Sequence, residues 1–118
     1  MTFPKRGEIY LVEFDPARGH EIRKTRPALV IQNDIGNRYS PVTIVAAITS
    51  KLSAVPFPVD VTVSPTAANG LTLPSSIQLG QIRSVDRTRL LKRLGAFDGA
   101  TMRLVDEAIK ISLGLVTS

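Results

Sequence analysis

TRPALVIQNDIGNRYSPVTIVAAITSK (Thr25–Lys51) places two short apolar runs on either side of a polar turn cluster. PALVIQ (Pro27–Gln32) is nearly continuous in apolar residues and too short for a helix, which predicts a strand buried on both faces. Pro27 suits only the first position of that strand, where no ladder donor is needed. NDIGNRYSP (Asn33–Pro41) predicts a turn, and VTIVAAI (Val42–Ile48) a second buried strand ending at Thr49, Ser50 and Lys51. If the two strands are antiparallel neighbours, the start of one lies beside the end of the other. Arg26 and Thr49 are then brought together on rigid elements.

Upstream, GEIYLVEF (Gly7–Phe14) alternates as a strand, and DPARGHEIRKT (Asp15–Thr25) is a charged loop broken by Pro16 and Gly19. Downstream, Pro58–Val63 alternates cleanly and predicts a strand, followed by a turn over Ser64–Gly70. SSIQLGQIRSV (Ser75–Val85) predicts another strand, with Gly80 as a bulge or point of close approach. Asp86 can cap a short helix over Arg87–Leu94 closed by Gly95. Asp98 can cap a longer helix whose apolar positions Met102, Val105, Ile109 and Leu113 fall at helical spacing and read as core or interface. Five or six short strands and a terminal helix predict a mainly β, α+β fold, built as one small barrel domain over residues 1–118.

The 118 residues are 43% apolar, enough for a sizeable core without staples. Cysteine is absent, which excludes disulfides, thiolate metal sites and cysteine nucleophiles. His20 is the sole histidine, no D-x-D pair occurs in a loop, and no G-x-x-x-x-G-K cradle is present. Any chemistry is therefore expected to need no metal or nucleotide cofactor. The opening MTFPKRGEIY does not read as a signal peptide, and no apolar run reaches the length of a bilayer, so a cytoplasmic location away from membranes is expected.

A net charge of +5, with ten of fifteen cations arginine, points to an anionic partner. RNA is a substrate that brings its own nucleophile, the 2′-hydroxyl. The protein then has to align the phosphate and neutralise its growing charge, work that suits an arginine fork beside a threonine hydroxyl. On position alone, a surface ion pair for Arg26 and a backbone-bonded hydroxyl for Thr49 stay open as alternatives.

At these same residues the sequence resembles the MazF/PemK family of toxin endoribonucleases, most strongly the branch typical of Gram-positive bacteria. The matching pieces are RGEIYLVEFDPARGHE (Arg6–Glu21), TRPALVIQNDIGNRYSP (Thr25–Pro41), TIVAAITSK (Thr43–Lys51), QIRSVDRTRL (Gln81–Leu90) and DEAIKISLGL (Asp106–Leu115). The resemblance implies an SH3-like barrel with a C-terminal helix, paired as a homodimer. It also implies metal-independent, sequence-specific cleavage of single-stranded RNA through a 2′,3′-cyclic phosphate. The family's catalytic arginine and threonine fall on Arg26 and Thr49. Its RNA contacts fall on Arg6, Glu21, Asn33, Ser76 and Gln81.

Two departures stand out. Ile22–Thr25 replaces a stretch that is often glycine-rich in relatives, and Gly80 stands where many carry an acid. The resemblance further implies an acidic, MazE-like antitoxin whose disordered C-terminal segment covers the RNA groove, and a +5 subunit suits such a partner. The alternative on a related scaffold is a non-catalytic gyrase poison of the CcdB type; a plain RNA-binding barrel is a third reading.

Overall fold

The computed structural model describes residues 2–14, 19–20, 24–55 and 57–117. Its six strands are β1 (Glu8–Glu13), β2 (Thr25–Val30), β3 (Val42–Thr49), β4 (Asp60–Val63), β5 (Ser75–Asp86) and β6 (Leu90–Ala96). Two helices accompany them, α1 (Asp34–Tyr39) and α2 (Gly99–Ser112). The strands form one antiparallel sheet in the order β4-β5-β3-β2-β1-β6. This is the predicted mainly β, α+β architecture: an antiparallel sheet with a terminal helix.

Side-chain alternation divides the core in two. Ile9, Leu29, Ala46, Ile48, Ile77 and Leu79 lie on one face and pack with Val105 and Ala108 of α2. Val12, Ala28, Val30, Val45, Ala47 and Val85 lie on the other with Phe14. β2 and β3 contribute to both clusters, which is why their sequences run apolar without a polar alternate. On α2, Val105 is fully buried while Met102 and Ile109 pack at the margin of the first cluster. Leu113 departs from expectation: it is the exposed C-cap residue, past the last turn that meets the sheet.

Three further expectations are corrected. Pro27 is the third residue of β2, not the first. Phe14 N–H donates to Lys24 O, so even-numbered residues of β2 bond toward β1 and odd-numbered ones toward β3. The β2–β3 register begins only at Ala28–Ala47, so the donor that Pro27 lacks falls just beyond that ladder. Second, the Asn33–Pro41 turn contains the six-residue helix α1. Asn33 Oδ1 caps it by accepting Gly36 N–H, and Ser40 N–H closes it on Gly36 O. Within it, buried Asn37 donates to Gln32 O and accepts from Thr43 Oγ1 (2.6 Å) and Gln32 Nε2, tying the end of β2 to the start of β3.

The third correction is the predicted helix over Arg87–Leu94. Only Arg87–Arg89 is helical, a single 3-10 turn that Asp86 caps through Thr88 N–H. Leu90–Ala96 is strand β6, drawn extended because the outer edge of β1 needs a hydrogen-bonding partner. Arg93 reinforces the pairing with a 2.6 Å ion pair to Glu8. Glu8 also accepts the Tyr10 hydroxyl, whose titration is pushed up by burial first and by the Glu8 charge second.

The outer strands β4 and β6 do not pair with each other; the turn after β4 bridges them instead. Ala96 N–H donates to Ala68 O, and buried Asn69 holds the turn by accepting from Thr66 N–H and Leu71 N–H. The contact is backbone to backbone. A Cβ on Gly70, whose φ is +69°, would lie 2.0 Å from Leu94 O, and one on Gly95 would lie 2.3 Å from Ala68 O. Glycine is required at both.

Gly70→Ala and Gly95→Ala are each expected to lower stability by at least about 2 kcal/mol, since backbone cannot move aside as a side-chain tip can. Urea unfolding midpoints close to wild type would contradict this closure. A second expectation concerns Asp98, which caps α2. Its carboxyl titrates below the ordinary value because Thr101 N–H donates to it, with the Thr101 side chain next in importance. The charged cap therefore contributes fully above the ordinary carboxylate range and is lost as pH falls through the depressed folded value. Asp98→Asn keeps a capping side chain but no charge, so its stability deficit should be present at pH 7 and close in strong acid. A deficit that does not vary with pH would assign the cap no charge dependence.

Candidate active-site groove

The β2–β3 ladder ends at the Ala28–Ala47 pair, and a groove of about 320 Å3 lies beyond it. Arg26 and Pro27 line it from β2, Ile48 and Thr49 from β3, and Gly70, Leu71 and Leu94 from the closure of the sheet. Arg26 and Thr49 each stand two residues past the same pair, so alternation puts their side chains on one face, that of the second apolar cluster. Arg26 is half-buried and Thr49 buried. Thr49 Oγ1 accepts Lys51 N–H (3.1 Å), and among the described residues its own O–H has no acceptor. The two residues singled out in the sequence are thus in one groove, with a hydroxyl proton left to donate.

Upstream of Arg26 the backbone is strained. Lys24 has φ +64°, a left-handed conformation that costs a side-chain-bearing residue about 1 kcal/mol. The strain sits two residues before the arginine.

Of the proposed RNA contacts, Ser76 is the cross-strand neighbour of Thr49. Gln81 lies further along the same strand inside a bulge: Ala46 faces Ile82 while Ala47 faces Gln78, so three residues of β5 are extra. Gly80 is in that bulge, as its sequence position suggested. Arg83 continues the face, stacking over Phe14 and donating to its carbonyl.

Arg6 and Asn33 are not in the groove. They sit at the far end of β2, about 15 Å along the strand from Arg26. Arg6 Nε donates to Ile31 O, and its guanidinium pairs with Asp106 of α2 at 2.6 Å, which makes it a clasp between helix and sheet. Asn33 is the α1 cap already described. Glu21 lies outside the described residues. Sequence reasoning missed the walls contributed by Leu71 and Leu94, because the first follows a turn and the second was assigned to a helix.

Among the described residues no three His, Asp or Glu side chains cluster as metal ligands. Among the described residues no helix is long and apolar enough to cross a membrane.

Comparison with known proteins places the chain. Over 112 residues it is 44% identical to the endoribonuclease EndoA of Bacillus subtilis, covering 95% of this chain and 96% of that protein. It is 42% identical over 113 residues to the endoribonuclease MazF of Staphylococcus saprophyticus, covering 96% and 93%. Among solved structures, MazF from Deinococcus radiodurans superposes with a TM-score of 0.80 at 25% identity, over 97% of this chain and 99% of that one. The family model described as PemK-like, MazF-like toxin of type II toxin–antitoxin system matches residues 5–113. A match of that extent, joined to relatives above 40% identity over nearly the whole chain, means that this protein belongs to the PemK-like, MazF-like toxin family.

Proposed function

We propose that this protein is the toxin of a type II toxin–antitoxin system and acts as a metal-independent, sequence-specific endoribonuclease on single-stranded RNA. The observation that carries the reading is the meeting of Arg26 and Thr49 on one sheet face, where the β2–β3 ladder ends. The substrate 2′-hydroxyl gives up its proton as its oxygen attacks the adjacent phosphorus, forming a P–O2′ bond, while the P–O5′ bond breaks and the departing O5′ takes up a proton. The products are a 2′,3′-cyclic phosphate and a 5′-hydroxyl. Arg26 is fixed as a cation, so its role is to grip the non-bridging oxygens and offset the charge that builds on them, not to remove the proton. Thr49 adds a neutral hydrogen bond to the same phosphate from a buried, rigid position.

The bases of the substrate pass along β5, where Ser76 and Gln81 offer hydrogen bonds, with Glu21 contributing from the first loop. Arg6 and Asn33 contact RNA only at the far end of the sheet, since each side chain already serves the fold. The working form is a cytoplasmic homodimer without cofactors. An acidic antitoxin of the MazE kind restrains it, attracted by the +5 charge of each subunit. Cleaving messenger RNA would arrest translation and growth.

Purified protein should cut a mixed-sequence RNA in the presence of EDTA, and Arg26→Ala should slow cutting by roughly a hundredfold or more. Thr49→Ala should slow it as well, with the fold unchanged by thermal unfolding. Intact RNA, or cutting indifferent to Arg26→Ala, would sink the proposal. Toxicity that tracks gyrase inhibition while RNA stays whole would favour the gyrase-poison alternative.

A further inference from the structure

Two buried polar side-chain atoms among the described residues have no hydrogen-bond partner: Ser76 Oγ and Gln78 Oε1. Both belong to β5, and both fall on the face that carries Arg26 and Thr49. Ser76 pairs across the sheet with Thr49, and Gln78 with Ala47, a member of the second apolar cluster. On the other side they face Thr62 and Asp60 of β4. Asp60 Oδ2 accepts the Phe57 N–H, so this carboxylate is turned to its own loop. Ser76 is only 6% exposed, whereas Gln78 is half-buried, with part of its amide open to solvent.

Unpaired polar atoms in such a place are costly, because folding strips them of water and returns nothing. The surroundings would accept an aliphatic side chain without penalty: Ala47 and Val45 lie alongside, and the alternate residues Ile77 and Leu79 fill the opposite core. The fold gains nothing visible from an amide at position 78. A ligand would. A primary amide sets an acceptor beside a donor, the pattern that pairs with a nucleobase edge presenting an N–H next to a ring nitrogen or carbonyl. Gln78 is one same-face step, about 7 Å, from the Thr49–Ser76 pair. A base held there belongs to a nucleotide adjoining the phosphate at Arg26.

We infer that Gln78 is a specificity-determining residue of this protein, reading the edge of one unpaired base next to the cleaved bond, with Ser76 Oγ completing its hydrogen bonding. The inference rests on the endoribonuclease reading and adds to it a residue that neither motif nor spacing singled out.

The test compares wild type, Gln78→Leu and Gln78→Glu on an RNA pool randomised around a preferred cut site, with cut ends read by sequencing. Wild type should discriminate among bases at one position within about two nucleotides of the cut, and Gln78→Leu should flatten that discrimination by roughly 5- to 150-fold. Other positions should keep their preferences. Gln78→Glu, an acceptor only, should turn the preference toward cytosine, whose exocyclic amine donates. Gln78→Leu should unfold at or above the wild-type temperature, since it removes an unsatisfied atom.

Unchanged preferences at every position in both folded variants would overturn the inference while leaving the endoribonuclease reading intact. Failure of Gln78→Leu to fold would also overturn it, by showing that the amide serves the fold. RNA left uncut by wild type would remove the endoribonuclease reading, and this inference with it.

Discussion

Two backbone segments touch where the sheet closes on itself, and the rest of the molecule depends on that contact. Gly70 lies against Leu94 O and Gly95 against Ala68 O, at separations that leave no room for a Cβ. The approach lets a sheet whose edge strands never pair behave as a nearly closed wall. It also carries Leu71 and Leu94 to the side of the groove opposite β2 and β3. Without it the groove would be an open surface, and an arginine there would be fully hydrated and correspondingly weak as an electrostatic device.

The groove itself comes from a ladder that stops early. Pro27 has no N–H to give β3, and the ladder ends at Ala28–Ala47. Pro27 and Ile48 stand where the next rung would have been, and Arg26 and Thr49 at the pair after it. Placing them at the ends of buried strands holds both backbones rigid while leaving the side chains reachable, the combination that preorganised charge stabilisation requires. Lys24 carries its left-handed backbone just upstream, so part of the stability of this end is spent on local conformation.

At the other end of β2 the polar groups serve the fold instead. Asn37, Gln32 and Thr43 form a buried, mutually satisfied knot that sets how α1 returns the chain into β3. Arg6 clasps Ile31 and Asp106, joining the first turn of the chain to the terminal helix. The contrast with β5 is informative: polar atoms that hold the fold have partners within it, whereas Ser76 Oγ and Gln78 Oε1 have none among the described residues. The same residue types thus divide by whether their hydrogen bonds close internally.

Local pattern alone determined much of this protein. The twin apolar runs of Thr25–Lys51 required two doubly buried strands, and the alternation at β1 and β4 and the stripe on α2 required their elements, because burial imposes its period on sequence. The juxtaposition of Arg26 and Thr49 followed once those strands were antiparallel neighbours, as they are. Tertiary structure decided the rest. Leu90–Ala96 has helix-compatible residues and became a strand because β1 offered an unpaired edge, and α1 formed inside a turn cluster because Asn33 and Asn37 found partners there. The same holds for the division of labour among polar residues. Arg6 also clasps helix to sheet, which its sequence position did not show, while Gln78 carried no signal until the strands around it left its Oε1 without a partner. Hydrogen-bond satisfaction is a property of neighbours in space, and those neighbours come from distant parts of the chain.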